Sequence, residues 1–164
     1  MKNNDVTLLT FSSSSAASTK KFAQKFISQL EAPLVIALQG DLGAGKTTFV
    51  QAAIESLCPQ QKVSICSPTF AIAKSYDCII PIHHIDLYRV NDQASLVSLG
   101  IEELLFDENS ICFVEWPERY CGKWPAKTMW IKITHTSDKK RSLEISIPHS
   151  LAEKASSLQK LDLK

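Results

Sequence analysis

The stretch Gly40-Asp41-Leu42-Gly43-Ala44-Gly45-Lys46-Thr47, followed by Thr48, constrains this chain more than any other. It fits the phosphate-loop pattern G-x-x-x-x-G-K-[ST]. The apolar run Leu34–Leu38 before it reads as a strand. After it, Val50, Ala53, Ile54 and Leu57 recur on one helical face. Strand, glycine loop and helix form the context in which backbone amides and a helix N-terminus surround an anion. In that geometry Lys46 reaches the outer phosphates and the Thr47 hydroxyl ligates Mg²⁺. A glycine turn with a chance lysine is the competing reading, and it leaves the flanking strand and helix unexplained.

Around this motif the chain reads as one domain over residues 1–164. A first strand spans Val6–Phe11, and Ser12–Ser15 form a loop that caps a helix with Phe22, Ala23, Phe26, Ile27 and Leu30 on its apolar face. Leu34–Leu38 is apolar on both faces, as at the centre of a parallel sheet. The helix from Lys46 stops at Cys58-Pro59. Gln60–Ser67 reads as a connection with a short strand. Phe70–Tyr76 and Ile79–Ile85 read as strands joined by a tight turn at Asp77-Cys78, with Pro81 pointing to an edge. Two short helical turns, Ala94–Leu99 and Ile101–Phe106, break at Gly100. Ile111–Val114 is another buried strand. Thr128–Thr134 and Ser142–Ile147 alternate like an antiparallel pair, and Leu151–Leu161 closes as a helix. The fold class is α/β: a P-loop NTPase fold, with a mainly parallel central sheet and added antiparallel strands.

Hydrolysis at such a loop needs a metal partner and a group that positions water. An acid ending an apolar strand is the usual partner. Glu115, after Ile111–Val114, is the leading candidate for the metal, and Asp86, after Ile79–Ile85, is the second. Asp86 also reads as a turn or capping residue. Ser67-Pro68-Thr69-Phe70 places Thr69 in a constrained loop able to sense an outer phosphate, or in an ordinary turn. Lys74, Arg89 and Arg119 offer positive charge, each with the alternative of a solvated surface residue. His83 and His84 are adjacent on a strand and point to opposite faces, which argues against a shared metal. Pro117 is expected to hold Trp116 extended, turned away from the metal. Lys139, Lys140 and Arg141 read as a solvated hairpin turn.

The balance of 18 basic and 17 acidic residues, a net charge of +1, gives no electrostatic argument for a dedicated nucleic-acid binder. Five cysteines, without a C-x-x-C pair, argue against a disulfide framework or structural zinc and fit a reducing cytoplasm. The N-terminus lacks a secretory apolar region, and no later stretch is long enough to span a membrane. The chain has no N-K-x-D guanine reader and only three arginines, too few for an arginine-rich kinase lid.

Four motifs in this order resemble the TsaE family: Gly40–Thr48, then Ser67-Pro68-Thr69-Phe70, then His84-Ile85-Asp86-Leu87-Tyr88-Arg89, and Val114-Glu115-Trp116-Pro117-Glu118 after Gly100-Ile101. The resemblance runs from about Val6 to Trp130. It implies an Mg²⁺-dependent ATPase, weak alone, in tRNA threonylcarbamoyladenosine biosynthesis. It implies TsaD and TsaB as partners, with tRNA met through that complex, and a cytoplasmic setting. It implies catalytic roles for Asp86 and Lys46 and metal binding by Thr47 and Glu115. The nucleotide-binding set it implies is Gly43, Ala44, Gly45, Lys46, Thr47, Thr48, Thr69 and Glu118. A nucleotide-gated binding module and a small P-loop kinase remain as alternatives.

Overall fold

The apolar run after Pro33 becomes strand β2 (Leu34–Gln39), the middle strand of a seven-stranded sheet. The computed structural model describes residues 6–59, 68, 71–90 and 92–161. In it β2 pairs in parallel with β5 (Ile111–Glu115) on one side and β6 (Thr128–His135) on the other. The parallel set extends from β5 to β4 (Ile82–Asp86). Both margins are antiparallel. Strand β3 (Ala73–Tyr76) lies on β4, while β7 (Arg141–Pro148) lies on β6 and carries β1 (Val6–Ser13) outside it. A parallel centre with antiparallel strands added at both sides matches the architecture expected from the sequence.

Alternation along β2 explains why it is apolar on both faces. Leu34, Ile36 and Leu38 join the larger core, with α1 (Ala16–Ile27), α2 (Lys46–Leu57) and α5 (Ala152–Gln159) supplying Phe22, Phe26, Phe49 and Leu158. Val35 faces the smaller core on the opposite side. There α3 (Gln93–Ser98) and α4 (Ile101–Leu105) place Leu96, Ile101 and Leu105 against Ile85 and Val114. Phe22 stacks on Phe11 at 4.1 Å between centroids, and Phe49 meets Phe26 edge-on at 6.0 Å. Burying each such ring contributes about 2–3 kcal/mol. This packing fixes α2, and with it the loop at its N-terminus, against the sheet.

Local expectations hold in part. Ser15 caps α1, its hydroxyl accepting the Ser18 amide at 3.1 Å, but Ser12 and Ser13 continue β1 rather than joining the loop. The β3–β4 connection occupies residues 77–81 instead of two residues, and Pro81 precedes β4. There it costs the ladder no donor. The expected strand within Gln60–Ser67, and the motif residues Ser67, Thr69 and Phe70, lie outside the described residues. The argument against disulfides is corrected at one place: Cys58, at the end of α2, is bridged to Cys78 in the β3–β4 loop, with 5.5 Å between Cα atoms. An odd cysteine count does not bar one pair that the fold brings together.

Two substitutions test this packing. Phe49→Ala is expected to cost about 3–5 kcal/mol by emptying the space beneath α2. Gly40 has φ of 143°, and a Cβ there would strike the Ile133 carbonyl. Gly40→Ala is expected to cost about 1–3 kcal/mol through strain at that position. Chemical-denaturation midpoints, at unchanged slope, check both.

Candidate functional site

Strand β2 ends at Gln39, and the chain turns through residues 40–45 into α2. Gly45, with φ of 110°, is the N-cap residue, a left-handed conformation that suits glycine. The amides of the first turn of α2 have no acceptor one turn earlier in the helix, so they face out of its N-terminus. Lys46 is 5% exposed. Its Nζ donates to the carbonyls of Gly40 at 2.6 Å and Asp41 at 3.0 Å, and lies 3.7 Å from the centroid of the Trp116 ring. Desolvation holds the ammonium below its ordinary pKa of 10.5, against the opposing pull of Glu115, Glu118, Asp86 and Asp41.

Sheet register sets the acids beside this loop. Glu115 pairs with Leu38 of β2 on one side and with Asp86 of β4 on the other. Thr47, in the first turn of α2, donates its hydroxyl to Glu115 Oε2 at 2.8 Å. The other oxygen, Oε1, lies 2.9 Å from His84 Nε2. Asp86 is buried, and its Oδ1 accepts the Tyr88 amide at 3.0 Å. Asp86 is thus a turn-forming aspartate and a cleft residue at once.

Leu42, Gly43, Gly45, Lys46, Thr47, Thr48, Asp86, Tyr88, Glu115 and Trp116 line one cleft of about 300 Å³. A larger groove of about 680 Å³, beside α3 and α4, is lined by none of the loop residues 40–48 and by neither Asp86 nor Glu115. Most sequence-predicted site residues therefore converge. Ala44 is buried as the inner wall of the loop, and its amide donates to the Asp41 carbonyl. Glu118 is exposed on a short 3₁₀ turn, Pro117–Arg119, outside the cleft lining. Thr69 lies outside the described residues. Lys74, Arg89 and Arg119 do not line the cleft; Lys74 sits over the Tyr76 ring and Arg119 Nη1 donates to the Val90 carbonyl.

Two expectations are corrected. Trp116 is not extended: its φ and ψ are 59° and 48°, and its ring turns over Lys46 into the cleft. Its amide donates to the Leu38 carbonyl and its own carbonyl accepts from Arg119, so tertiary contacts override the preference that Pro117 imposes. Arg141 is not a solvated turn residue. Its Nε donates to the Ala44 carbonyl at 3.1 Å, and its Nη1 gathers the carbonyls of Ser137, Asp138 and Lys140, fastening the β6–β7 hairpin to the loop. As expected, the two histidines diverge, with His83 meeting Ser75 and Asp107 while His84 meets Glu115. Sequence reasoning alone assigns His84 no role at the site. Its spacing from Asp86, two residues on one strand face, was the available signal.

The arrangement is chemically an anion cradle beside an all-oxygen donor set. Among the described residues no group of three His, Cys, Asp or Glu could hold a metal on its own. No helix among them is long and apolar enough to cross a membrane.

Comparison with known proteins points to one family. The family profile described as "Threonylcarbamoyl adenosine biosynthesis protein TsaE" matches residues 13–143. A tRNA threonylcarbamoyladenosine biosynthesis protein TsaE of Haemophilus influenzae is 34% identical over 128 residues, 77% of this chain and 78% of its own length. The TsaE protein of Treponema pallidum is 30% identical over 82% of this chain and 97% of its own, and that of Bacillus subtilis is 38% identical over 66% of each. The crystal structure of Bacillus subtilis YdiB superposes with a TM-score of 0.78 at 26% identity, covering 96% of this chain and 98% of that one. The fold is the α/β P-loop NTPase fold.

The lowered pKa of Lys46 has a stability consequence of definite sign. Between that lowered value and 10.5 the unfolded chain binds a proton that the folded chain does not, so this lysine makes the ligand-free protein more stable as pH rises through that window. The buried Cys112 thiol, its pKa raised by desolvation, acts in the opposite sense above its ordinary value of 9.0. The difference between wild type and Lys46→Met therefore isolates the lysine. The stability advantage of Lys46→Met is expected to shrink as pH rises toward 10.5, as measured by denaturation midpoints across that range.

Proposed function

The chain belongs to the TsaE family of threonylcarbamoyl adenosine biosynthesis proteins, and from that premise we propose that it is an Mg²⁺-dependent ATP hydrolase serving tRNA modification in the cytoplasm. In this reading it binds and hydrolyses ATP to support turnover of a TsaD–TsaB transferase that places threonylcarbamoyl on adenosine 37. The observation that supports it most is the 2.8 Å hydrogen bond from Thr47 to Glu115, directly beside the loop that carries Lys46. It brings a hydroxyl and a carboxylate from opposite halves of the chain to one point at a helix N-terminus.

The donor set fits Mg²⁺. Thr47, Glu115 and Asp86 offer hard oxygen atoms only, and a magnesium ion takes few protein ligands, completing its shell with water and phosphate oxygens. Thr47 and Glu115 would hold it, directly or through water. When bound, the ion would supply charge neutralisation on the phosphates.

The chain's own groups account for the rest. Lys46 exchanges the Gly40 and Asp41 carbonyls for phosphate oxygens, and the exchange favours its charged form. The amides of Gly43 and of residues 45–48 surround the phosphates. Asp86, fixed by the Tyr88 amide, orients the attacking water. Trp116 and Tyr88, with ring centroids 5.1 Å apart, wall the cleft beside Lys46 and limit solvent there.

Loss of the lysine charge in a preorganised site costs about 3 kcal/mol or more, so Lys46→Ala is expected to weaken ATP binding at least about a hundredfold in a protein that still folds. Asp86→Asn is expected to keep ATP affinity and lower single-turnover hydrolysis by about a hundredfold or more. The functional test is multiple-turnover tRNA modification by purified TsaD and TsaB with this protein added. ATP is expected to sustain turnover and a non-hydrolysable analogue to leave it stalled. Equal turnover with the analogue would identify a nucleotide-gated module instead. Transfer of phosphate to a small acceptor would identify a kinase.

A further inference from the structure

We propose that His84 is a positioning residue for the metal-facing carboxylate: its Nε2–H holds Oε1 of Glu115, so that Oε2 alone is presented to Thr47 and an incoming divalent cation. The inference rests on the proposed ATPase reading and deepens it.

The geometry carries the argument. His84 has no exposed surface and sits on β4 two residues before Asp86. It is level with Phe113 on β5, and so diagonal to Glu115. Its Nε2 lies 2.9 Å from Glu115 Oε1. An ionised carboxylate only accepts, so the ring donates from Nε2. The other ring nitrogen, Nδ1, is buried without a hydrogen-bond partner among the described residues. A ring kept for packing alone would be better replaced by an apolar side chain, which leaves no buried polar atom unmatched. Among the described residues, the contact with Glu115 is the one polar interaction that accounts for an imidazole here.

The two oxygens of Glu115 therefore have different partners. Thr47 holds Oε2 through a hydroxyl that can turn to a cation, and the carboxylate then offers Oε2 to the cation or to one of its waters. His84 needs no change of partner in that exchange. It keeps the carboxylate from rotating while one oxygen changes ligand, as hydrogen-bonding neighbours of metal ligands do elsewhere.

The test compares His84→Gln with His84→Asn. The glutamine amide reaches the place of Nε2 and can donate to Glu115. The asparagine amide reaches the place of Nδ1, where no partner lies among the described residues. Binding of a fluorescent N-methylanthraniloyl ATP is titrated with Mg²⁺, and again without divalent cation. His84→Gln is expected to keep the wild-type Mg²⁺ dependence. His84→Asn is expected to need about ten- to a hundredfold more Mg²⁺, with cation-free nucleotide affinity unchanged in both. Equal Mg²⁺ dependence in the two variants would overturn the inference and leave the ATPase reading standing. No Mg²⁺ dependence in the wild type would overturn both. Should either variant fail to fold, nitrogen-15 NMR of the wild-type imidazole decides. A proton on Nε2 that persists when Mg²⁺ and nucleotide are added supports the role, and a ring protonated on Nδ1 alone, with Nε2 bare, overturns it.

Discussion

A carboxylate withdrawn from water needs hydrogen bonds at both oxygens, and the site is organised around that requirement at Glu115. The residue is 2% exposed, and its partners come from α2 and β4. Meeting them requires β5 to run between β2 and β4 in one register, with Leu38 and Asp86 level with Glu115. It also requires α2 to lie at a fixed height over the sheet, which the Phe22, Phe26 and Phe49 packing provides. The chemistry at the loop is thus set by contacts in the core. The carboxylate in turn disfavours any register that would strand it without partners.

The loop carries its own restraints. Lys46 satisfies two loop carbonyls, and Arg141 satisfies a third from the far hairpin. Among the described residues, the two non-glycine positions with positive φ both touch the acids. The Ile72 carbonyl accepts the Asp86 amide, and Trp116 follows Glu115. Left-handed backbone at β-branched or bulky residues is costly and persists where surrounding contacts over-determine it, a pattern that gathers at functional sites. Here it ends the sheet-like path of the chain at Glu115 and turns an indole over the lysine.

What was legible in the sequence follows from range of interaction. Strand β2 could be read because a strand covered on both faces leaves an unbroken apolar run. The phosphate loop could be read because its glycines, lysine and threonine act within eight residues. Glu115 and Asp86 could be read because each ends such a run. Trp116 could not, since the pre-proline rule is local and the contacts with Leu38 and Lys46 are not. Arg141 lies 97 residues from the carbonyl it holds. The Cys58–Cys78 bridge and the His84–Glu115 contact likewise exist only once α2, β4 and β5 are assembled.

In the function we propose, the Thr47–Glu115 pair marks where the metal of a bound nucleotide sits. Manganese reports on this directly, because it replaces magnesium in oxygen sites and its electron spin senses neighbouring nuclei. Electron–nuclear double resonance on the protein with Mn²⁺ and ATP is predicted to show phosphorus couplings of directly ligated phosphate oxygens. Those couplings should disappear together with Mn²⁺ binding when Thr47 and Glu115 are both replaced. Tight Mn²⁺ binding without nucleotide, or phosphorus couplings that survive the double replacement, would contradict the account.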